Sequence, residues 1–587
     1  MKENPIEIAK AWTKNLYFDE ADRKELEELI TKEDIEEINE RFSSDLEFGT
    51  GGMRSILGMG RNRINKYNIR KATQAMASAA IKNQKSDSLK AAVSFDCRSF
   101  SFEFAKEAAS VFAANGIKTY LFKELTPTPI LSYAIRYFKT DVGVMITASH
   151  NPKQYNGYKA YWSDGAQITP PEDSYVINEF KSIDSFEDVK VMDFDKALSE
   201  NKIEWIEDDL FDSFYKNIVD DSLNLDMCKN DGDKLNAIYT SLHGTGYKAC
   251  LEISNKLGFT NFKAVEEQAS FDSQFSTVKT TPNPEDPIAL EMAVTKMLNE
   301  KADVAYGTDP DCDRLGVVVN HKNEAHYLNG NQIAILMIEY LLTQLKEKNK
   351  LPKNPLIIKS IVTSNLQRTI ANKFDVTVLD TLTGFKWMAK LIRDLENQKS
   401  DYNFVFASEE SFGYMPNNKV RDKDAVAAIA LMNEITLFNK IKGKNLIEKL
   451  DEIYETYGFA KESLIANTYE GLSGRRKINN IMAHFRNFKE DSIASEKVKI
   501  LRDYESLVSK DFSSNTESKI DMHPSDVLGF VFESGNVLYL RPSGTEPKIK
   551  FYTMVTVEDG SLEKKKDIAD KKIQEIESYI NEVIEGL

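Results

Sequence analysis

Cysteine is scarce: Cys97, Cys228, Cys250 and Cys312 are the only four in 587 residues, and no two form a C-x-x-C pair. That pattern fits reduced thiols in a cytoplasm better than a disulfide framework or a zinc site. Histidine is nearly as rare, with six residues in all. Of these, His243, His321, His326, His484 and His523 show no metal-ligand spacing. Long apolar runs are missing too. Aliphatic stretches such as Ile333 to Ile338 fall far short of the ~20 residues that cross a bilayer. The N-terminus MKENPIEIAKAWTKN alternates charged with apolar residues and has no apolar signal-peptide core. Nor is there a basic excess, since the net charge is −16. This argues against nucleic acid or an anionic membrane as partner, while leaving room for a small anionic substrate held by a few clustered cations.

What is present is enough chain for roughly three to five packed units at ~100–200 residues each. Short apolar strands alternate with amphipathic helices, the pattern of βαβ units. Strands are expected at Ala91–Phe95, Ile117–Phe122, Asp141–Ile146, Asn236–Ser241, Asp303–Tyr306, Leu356–Ile361, Val376–Leu379 and Asn403–Ala407. Helices are expected at Phe102–Asn115, Tyr247–Leu257, Asn365–Lys373 and Phe385–Glu396. The last hundred residues change character, with consecutive strands at Gly529–Glu533, Val537–Leu540 and Ile549–Val555 and then a helix near Leu562–Val583. That order reads as α+β. Charged stretches near Asp195–Ser213, Asn320–Asn331 and Lys440–Lys461 mark candidate boundaries. The division is 1–208, 209–328 and 329–455 as three α/β units and 456–587 as an α+β unit. The acidic helices near Glu20–Arg41 read as a solvated cap.

Four loops carry chemistry. The first, Thr147-Ala148-Ser149-His150-Asn151-Pro152, follows a strand, where open α/β sheets place ligands. Ser149 lacks the G-x-S-x-G elbow of a serine hydrolase, and a plain Ser/Asn turn closed by Pro152 is the alternative. In the second, Asp309-Pro310-Asp311-Cys312-Asp313-Arg314, carboxylates at i, i+2 and i+4 suit a hard cation such as Mg²⁺. An EF-hand would need Gly and Glu where Arg314 and Asn320 stand. The third, Ser408-Glu409-Glu410-Ser411-Phe412-Gly413-Tyr414, offers a carboxylate and a hydroxyl two residues apart for vicinal sugar hydroxyls. Just beyond it, Arg421 and Lys423 supply cations. The fourth, Arg541-Pro542-Ser543-Gly544-Thr545-Glu546-Pro547-Lys548, combines a guanidinium fork, two hydroxyls, a turn glycine and a lysine, a phosphate cradle in an acidic protein.

In this order the loops resemble those of the α-D-phosphohexomutase superfamily, most of all its bacterial phosphoglucomutase branch, which also resembles phosphopentomutases. The recognisable stretches run from Phe48-Gly49-Thr50-Gly51-Gly52-Met53-Arg54 to Lys548. The resemblance implies a four-domain, heart-shaped enzyme of three α/β domains and a C-terminal α+β domain around a central cleft. It implies that Ser149 is the phosphoserine and that Asp309, Asp311 and Asp313 hold Mg²⁺ together with it. Glu409 and Ser411 match the sugar loop. Arg541, Ser543, Gly544 and Thr545 match the loop for the non-reacting phosphate, with Lys548 beside them. Arg54, His150 and Lys159 resemble residues around the phosphoserine, Lys159 being a candidate proton carrier. As a base it would need a pKa depressed by neighbours such as Arg54. Arg314 and Lys423 match substrate-site cations, and Arg421 is grouped with them. Thr383-Gly384-Phe385-Lys386 resembles a substrate loop that glucose-preferring members write T-G-W-K.

The implied activity is interconversion of α-D-glucose 1-phosphate and D-glucose 6-phosphate through glucose 1,6-bisphosphate, by a cytoplasmic monomer or homodimer. Phosphomannomutase and phosphopentomutase activities are the alternatives within the superfamily. A metal-dependent phosphatase and a sugar-phosphate sensor are those outside it.

Overall fold

The computed structural model describes residues 4–49, 51–83, 88–469, 471–543 and 547–587. Two compact units emerge. One comprises Met1–Asn329, Phe385–Ser400 and Ser411–Lys442, the other Gly330–Gly384, Asp401–Glu410 and Gly443–Leu587.

The first unit holds two mixed sheets. In the six-stranded sheet the order is Gly52–Ile56, Tyr155–Trp162, Val142–Ile146, Lys90–Phe95, Lys118–Leu121, Ile203–Trp205. Val142–Ile146 runs parallel to Lys90–Phe95 and antiparallel to Tyr155–Trp162. All five of its residues are buried, which is why it reads as a continuous apolar run rather than an alternation. Helix Ser101–Ala114 packs on this sheet through Phe104, Ala108 and Phe112, spaced four apart on one face, with Ala105 and Ala109 beside them. The five-stranded sheet has the order Glu324–Leu328, Leu315–His321, Val304–Thr308, Ala237–Thr240, Phe262–Ala264.

The N-terminal segment is more than a solvated cap. Its helices Pro5–Lys14, Glu20–Thr31 and Ile35–Phe42 bury Ala9, Leu26, Ile38 and Phe42 around Phe18 and Tyr67, with Trp12 stacked on Phe18 at 4.5 Å. A cavity of about 1220 Å³ beside these helices is lined by Trp12, Phe48, Lys71 and Phe180, among others, and holds none of the four loops.

In the second unit, strand Pro355–Ser360 lies parallel to both Thr377–Thr381 and Asn403–Glu409. An antiparallel sheet follows in the order Phe459–Thr468, Lys548–Val557, Val537–Pro542, Leu528–Phe532, Glu496–Asp503, Val508–Asp511, Thr516–Lys519. Helices Gly471–Arg486 and Leu562–Gly586 supply Ile481, Phe485, Ile576 and Ile580 to its core. This is the α+β order expected for the last hundred residues, although the sheet has more strands than the three anticipated.

Helix Ala425–Ile441 of the first unit is apolar nearly all round and buried along most of its length. Its N-cap, Asp424, accepts from the Ala427 N–H at 2.9 Å and is 1% exposed. Burial pushes this carboxyl up to about 7, against the pull of the cap N–H groups. A group with an ordinary value near 3.8 in the unfolded chain then holds its proton longer when folded. Stability therefore falls as pH rises from about 4 to 7, by up to ~4 kcal/mol for this group. Asn caps a helix as well as Asp, so Asp424→Asn is expected to flatten the decline of the melting temperature between pH 5 and 8. An unaltered slope in a pH series of thermal melts would contradict this.

Candidate active site

The serine loop emerges from the carboxyl end of Val142–Ile146. Ser149 sits at φ 50° and is 3% exposed. Its N–H donates to Thr147 Oγ1 at 2.8 Å, and that hydroxyl donates to Asp96 Oδ2 at 2.6 Å. Gly157 lies against the same loop, where a Cβ would sit 2.6 Å from the Thr147 carbonyl oxygen. Beneath the loop, the Arg98 guanidinium donates to four carbonyls: Ser149 (2.6 Å), Asn151 (2.5 Å), Pro152 (2.9 Å) and Tyr155 (3.0 Å). It also pairs with Asp96 at 3.4 Å, both side chains being fully buried. Asp96 in turn accepts from the Arg98 N–H and from Ser101 Oγ.

The acidic loop follows strand Val304–Thr308. Its backbone is held by the segment after strand Ala237–Thr240. The Thr245 N–H donates to the Pro310 carbonyl at 2.8 Å, and a Cβ on Gly244 would stand 2.4 Å from the Pro310 Cα. His243 is spent on this support, its ring nitrogens bonded to Ser270 O and Thr277 Oγ1, both at 2.8 Å. Asp309, Asp311 and Asp313 are all buried, with one ligand oxygen from each within 4.8 Å of the others. Ser149 Oγ donates to Asp309 Oδ2 at 2.6 Å. Asp309 Oδ1 accepts the N–H groups of Asp313 and Arg314, each at 3.0 Å. Burial and the two neighbouring carboxylates push Asp309 well up from the ordinary range. Burial acts the same way on Asp311, but Lys159 outweighs it and holds that carboxyl down.

Around these loops the first unit gathers the expected cations. Lys159 Nζ lies 2.7 Å from Asp311 Oδ2 and 3.1 Å from Asp313 Oδ2, and Lys423 Nζ is 3.1 Å from the same Asp313 oxygen. Burial disfavours the Lys159 charge, yet Asp311 and Asp313 more than offset it and raise its pKa. This is opposite to the depression that a base would need, and favours the charged ammonium. His150 Nδ1 lies 3.2 Å from Ser149 Oγ, and burial together with Arg314 and Arg54 pushes it well below its ordinary value, leaving a neutral ring. Arg54 donates to Asn151 Oδ1 at 2.8 Å. Arg314 pairs with Glu285 at 2.5 Å, a partner that no sequence motif marks. Lys386 stands 5.4 Å over the Trp387 ring. Ser411 belongs to this unit as well.

Arg421 departs from the expected substrate contact. Its side chain has no exposure, and its guanidinium donates to Glu396 (2.5 Å) and to the Asn418 carbonyl. A guanidinium sealed in this way serves the fold.

In the second unit, Glu409 ends strand Asn403–Glu409 and accepts from the Gly384 N–H, next to Thr383. Glu410 is held by Ser360 Oγ (2.9 Å) and Thr363 Oγ1 (3.2 Å). Arg541 is the penultimate residue of strand Val537–Pro542 and hydrogen-bonds Tyr552. The Ser543 N–H donates to the Lys548 carbonyl at 2.7 Å, closing the base of the phosphate-cradle loop. Gly544 and Thr545 lie outside the described residues, as does Thr50 of the first recognisable stretch.

Comparison with known proteins decides the family. Models described as phosphoglucomutase/phosphomannomutase alpha/beta/alpha domains I, II and III match residues 45–187, 212–322 and 329–457. A phosphoglucomutase of Staphylococcus haemolyticus is 36% identical over 88% of this chain and 92% of its own. One of Staphylococcus aureus strain MRSA252 is 37% identical over 90% and 92%. The chain belongs to the phosphoglucomutase/phosphomannomutase family. The fold agrees: Paramecium parafusin in its open form superposes with TM-score 0.67 at 16% identity, covering 92% of this chain and 96% of its own. A Burkholderia thailandensis family protein superposes with TM-score 0.61 at 17% identity, covering 89% and 95%.

The chain is thus a phosphohexomutase-superfamily enzyme of the phosphotransferring isomerase type, with three α/β/α domains and a C-terminal sheet domain. Among the described residues no helix is long and apolar enough to cross a membrane. All four cysteines are free and buried.

The acidic loop passes a chemical test for a divalent cation. Asp311 Oδ1 and Asp313 Oδ1 are buried with no hydrogen-bond partner, an arrangement costly to leave unmet. Two bare carboxylate oxygens beside Asp309 are the oxygen donors that a hard ion takes. Asp96 and Arg98, which hold the serine loop, are site residues that motif reading missed. Their signal was present, since Phe95-Asp96-Cys97-Arg98 also follows the carboxyl end of a parallel strand.

Proposed function

We propose that this family member interconverts α-D-glucose 1-phosphate and D-glucose 6-phosphate, with Ser149 carrying the phosphoryl group as a phosphoserine and glucose 1,6-bisphosphate as the intermediate. The observation that carries it is the 2.6 Å bond from Ser149 Oγ to Asp309. It places the Ser149 hydroxyl on the edge of the three-carboxylate cluster. The phosphoglucomutases of Staphylococcus, 36–37% identical, support the sugar.

Phosphoryl transfer has a loose transition state, so positioning and charge neutralisation dominate. Asp309, Asp311 and Asp313, with the seryl oxygen, would hold Mg²⁺, which when bound supplies Lewis-acid neutralisation of phosphoryl oxygens. Arg98 fixes the loop on which Ser149 rides. Lys159 carries a proton next to the serine loop, and neutral His150 offers its ring nitrogen to the seryl oxygen. Glu409 and Ser411 are assigned the sugar hydroxyls, with Thr383, Gly384, Lys386, Arg314 and Lys423 as further substrate contacts. Arg541, Ser543, Gly544, Thr545 and Lys548 are assigned the phosphate that does not react. Reorientation of the bisphosphate between half-reactions lets one serine serve both ends of the sugar. The same reading divides the chain at 208, 328 and 455 and sets the enzyme in the cytoplasm as a monomer or homodimer.

A coupled assay with glucose, mannose and ribose 1-phosphates, with and without glucose 1,6-bisphosphate, tests this. Glucose 1-phosphate is expected to turn over at least ~10-fold faster than the others, a margin within reach of differential contacts to one hydroxyl, with the bisphosphate stimulating. A mannose or ribose preference would move the assignment within the superfamily. Free phosphate released without isomer would replace it with a phosphatase.

A further inference from the structure

Asp311 is gripped by a residue outside all four loops. Thr128 is the first residue of helix Thr128–Phe138, between Pro127 at the N-cap and Pro129. Neither proline has an N–H to give, and the Thr128 N–H, one of the unpaired donors of a first helical turn, donates to the Asp311 carbonyl at 2.9 Å. Its hydroxyl donates to Asp311 Oδ2, also at 2.9 Å. Thr128 has no exposure. Main chain and carboxylate of Asp311 are therefore both held by one residue, through its N–H and its hydroxyl, 183 positions away in sequence.

The consequence is an asymmetric carboxylate. Oδ2 is taken by Thr128 and Lys159, while Oδ1 is buried and has no partner. Rotation about the last side-chain bond would turn the carboxylate plane and re-aim the bare oxygen, and Lys159, shared with Asp313, fixes only one hydrogen-bond direction on it. The threonine hydroxyl, fixed on a helix start, resists it strongly. We propose that Thr128 is a positioning residue of the metal site: it locks the Asp311 carboxylate plane so that Oδ1 is the oxygen offered to a divalent cation. This rests on the reading of Asp309, Asp311 and Asp313 as metal ligands.

Thr128→Val keeps the shape and the N–H while deleting the hydroxyl; Thr128→Ser keeps the hydroxyl. Mg²⁺ is titrated calorimetrically into each full-length protein, stripped with EDTA and free of substrate, with Asp311→Asn as control. Outer-shell partners of ligands are worth ~10–100-fold in metal affinity, and a loss of that size is expected for Thr128→Val, with Thr128→Ser within ~3-fold of the native protein. In the mutase assay, Thr128→Val should need correspondingly more Mg²⁺ for half-maximal rate while recovering most of kcat at saturation. Native affinity in Thr128→Val, alongside weakened binding in Asp311→Asn, would overturn the role of Thr128 alone. Undiminished binding in Asp311→Asn would overturn the metal reading itself. Equal weakening in the Ser and Val variants would assign Thr128 to packing and defeat the proposal. Should Thr128→Val fail to fold, Thr128→Ala against Thr128→Ser applies the same criterion.

Discussion

Replacing Ser149 by alanine is expected to lower mutase turnover by at least ~10³-fold, the scale on which loss of a covalent nucleophile acts, while the protein stays folded. The hydroxyl has one strong structural bond, to Asp309 Oδ2. Its deletion leaves a carboxyl already pushed up by burial and by its neighbours, so that oxygen can be met by a proton. The backbone of the loop is set by Thr147, Asp96 and Arg98, none of which depends on the seryl oxygen. Alanine tolerates φ 50° at a cost of ~1–2 kcal/mol. Steady-state assays, thermal melts and intact-mass measurement during turnover give the three readouts. Turnover near the native rate, or phosphate esterified on another residue, would rule Ser149 out as carrier.

The second large effect is expected from Arg98→Lys. Four carbonyls and Asp96 surround the guanidinium in a side chain with no exposure. An ammonium has three tetrahedral donors and cannot reproduce a planar five-donor fork. At least one or two buried carbonyls then lose their partners, at ~1–3 kcal/mol each. A stability loss of ~2–5 kcal/mol is expected in denaturant unfolding. The carbonyls released belong to Ser149, Asn151, Pro152 and Tyr155, so the serine should also lose its fixed attack geometry, a misplacement worth ~10²-fold in kcat. KM for the sugar phosphate should change little, because Arg98 touches none of the proposed substrate loops. If the lysine variant keeps both native stability and native kcat, the guanidinium platform is not what fixes the serine.

How far the sequence carried varied with the element. Strands buried on both faces, such as Val142–Ile146, were plain as unbroken apolar runs. Glu324–Leu328 was hidden in what looks like a charged boundary, because it is a sheet-edge strand with only Leu328 buried. The N-terminal helices were underrated for a similar reason. Their acidic faces dominate the composition, while Trp12, Phe18 and Phe42 come from three separate segments and become one cluster only on folding. Ser149 and the three aspartates, which the fold brings together, stood out in the sequence because each loop is short and follows a strand. Arg421 misled, because a cation next to Lys423 in sequence turns inward to Glu396 in the fold.

By itself, then, the sequence determined the inventory: a serine loop, a carboxylate triplet and the two further polar loops around Glu409 and Arg541, each placed near a strand end. Only the tertiary structure decided how those groups are aimed. Which oxygen of Asp311 stays bare, what the Lys159 ammonium pairs with, and what holds the Ser149 loop are set by Thr128, Asp313 and Arg98, whose contacts span 183, 154 and 51 positions of chain. Spacing along a chain reports neighbours within a loop. Hydrogen bonds and charge pairs across a buried site depend on distances of about 3 Å that exist only once the sheets have assembled.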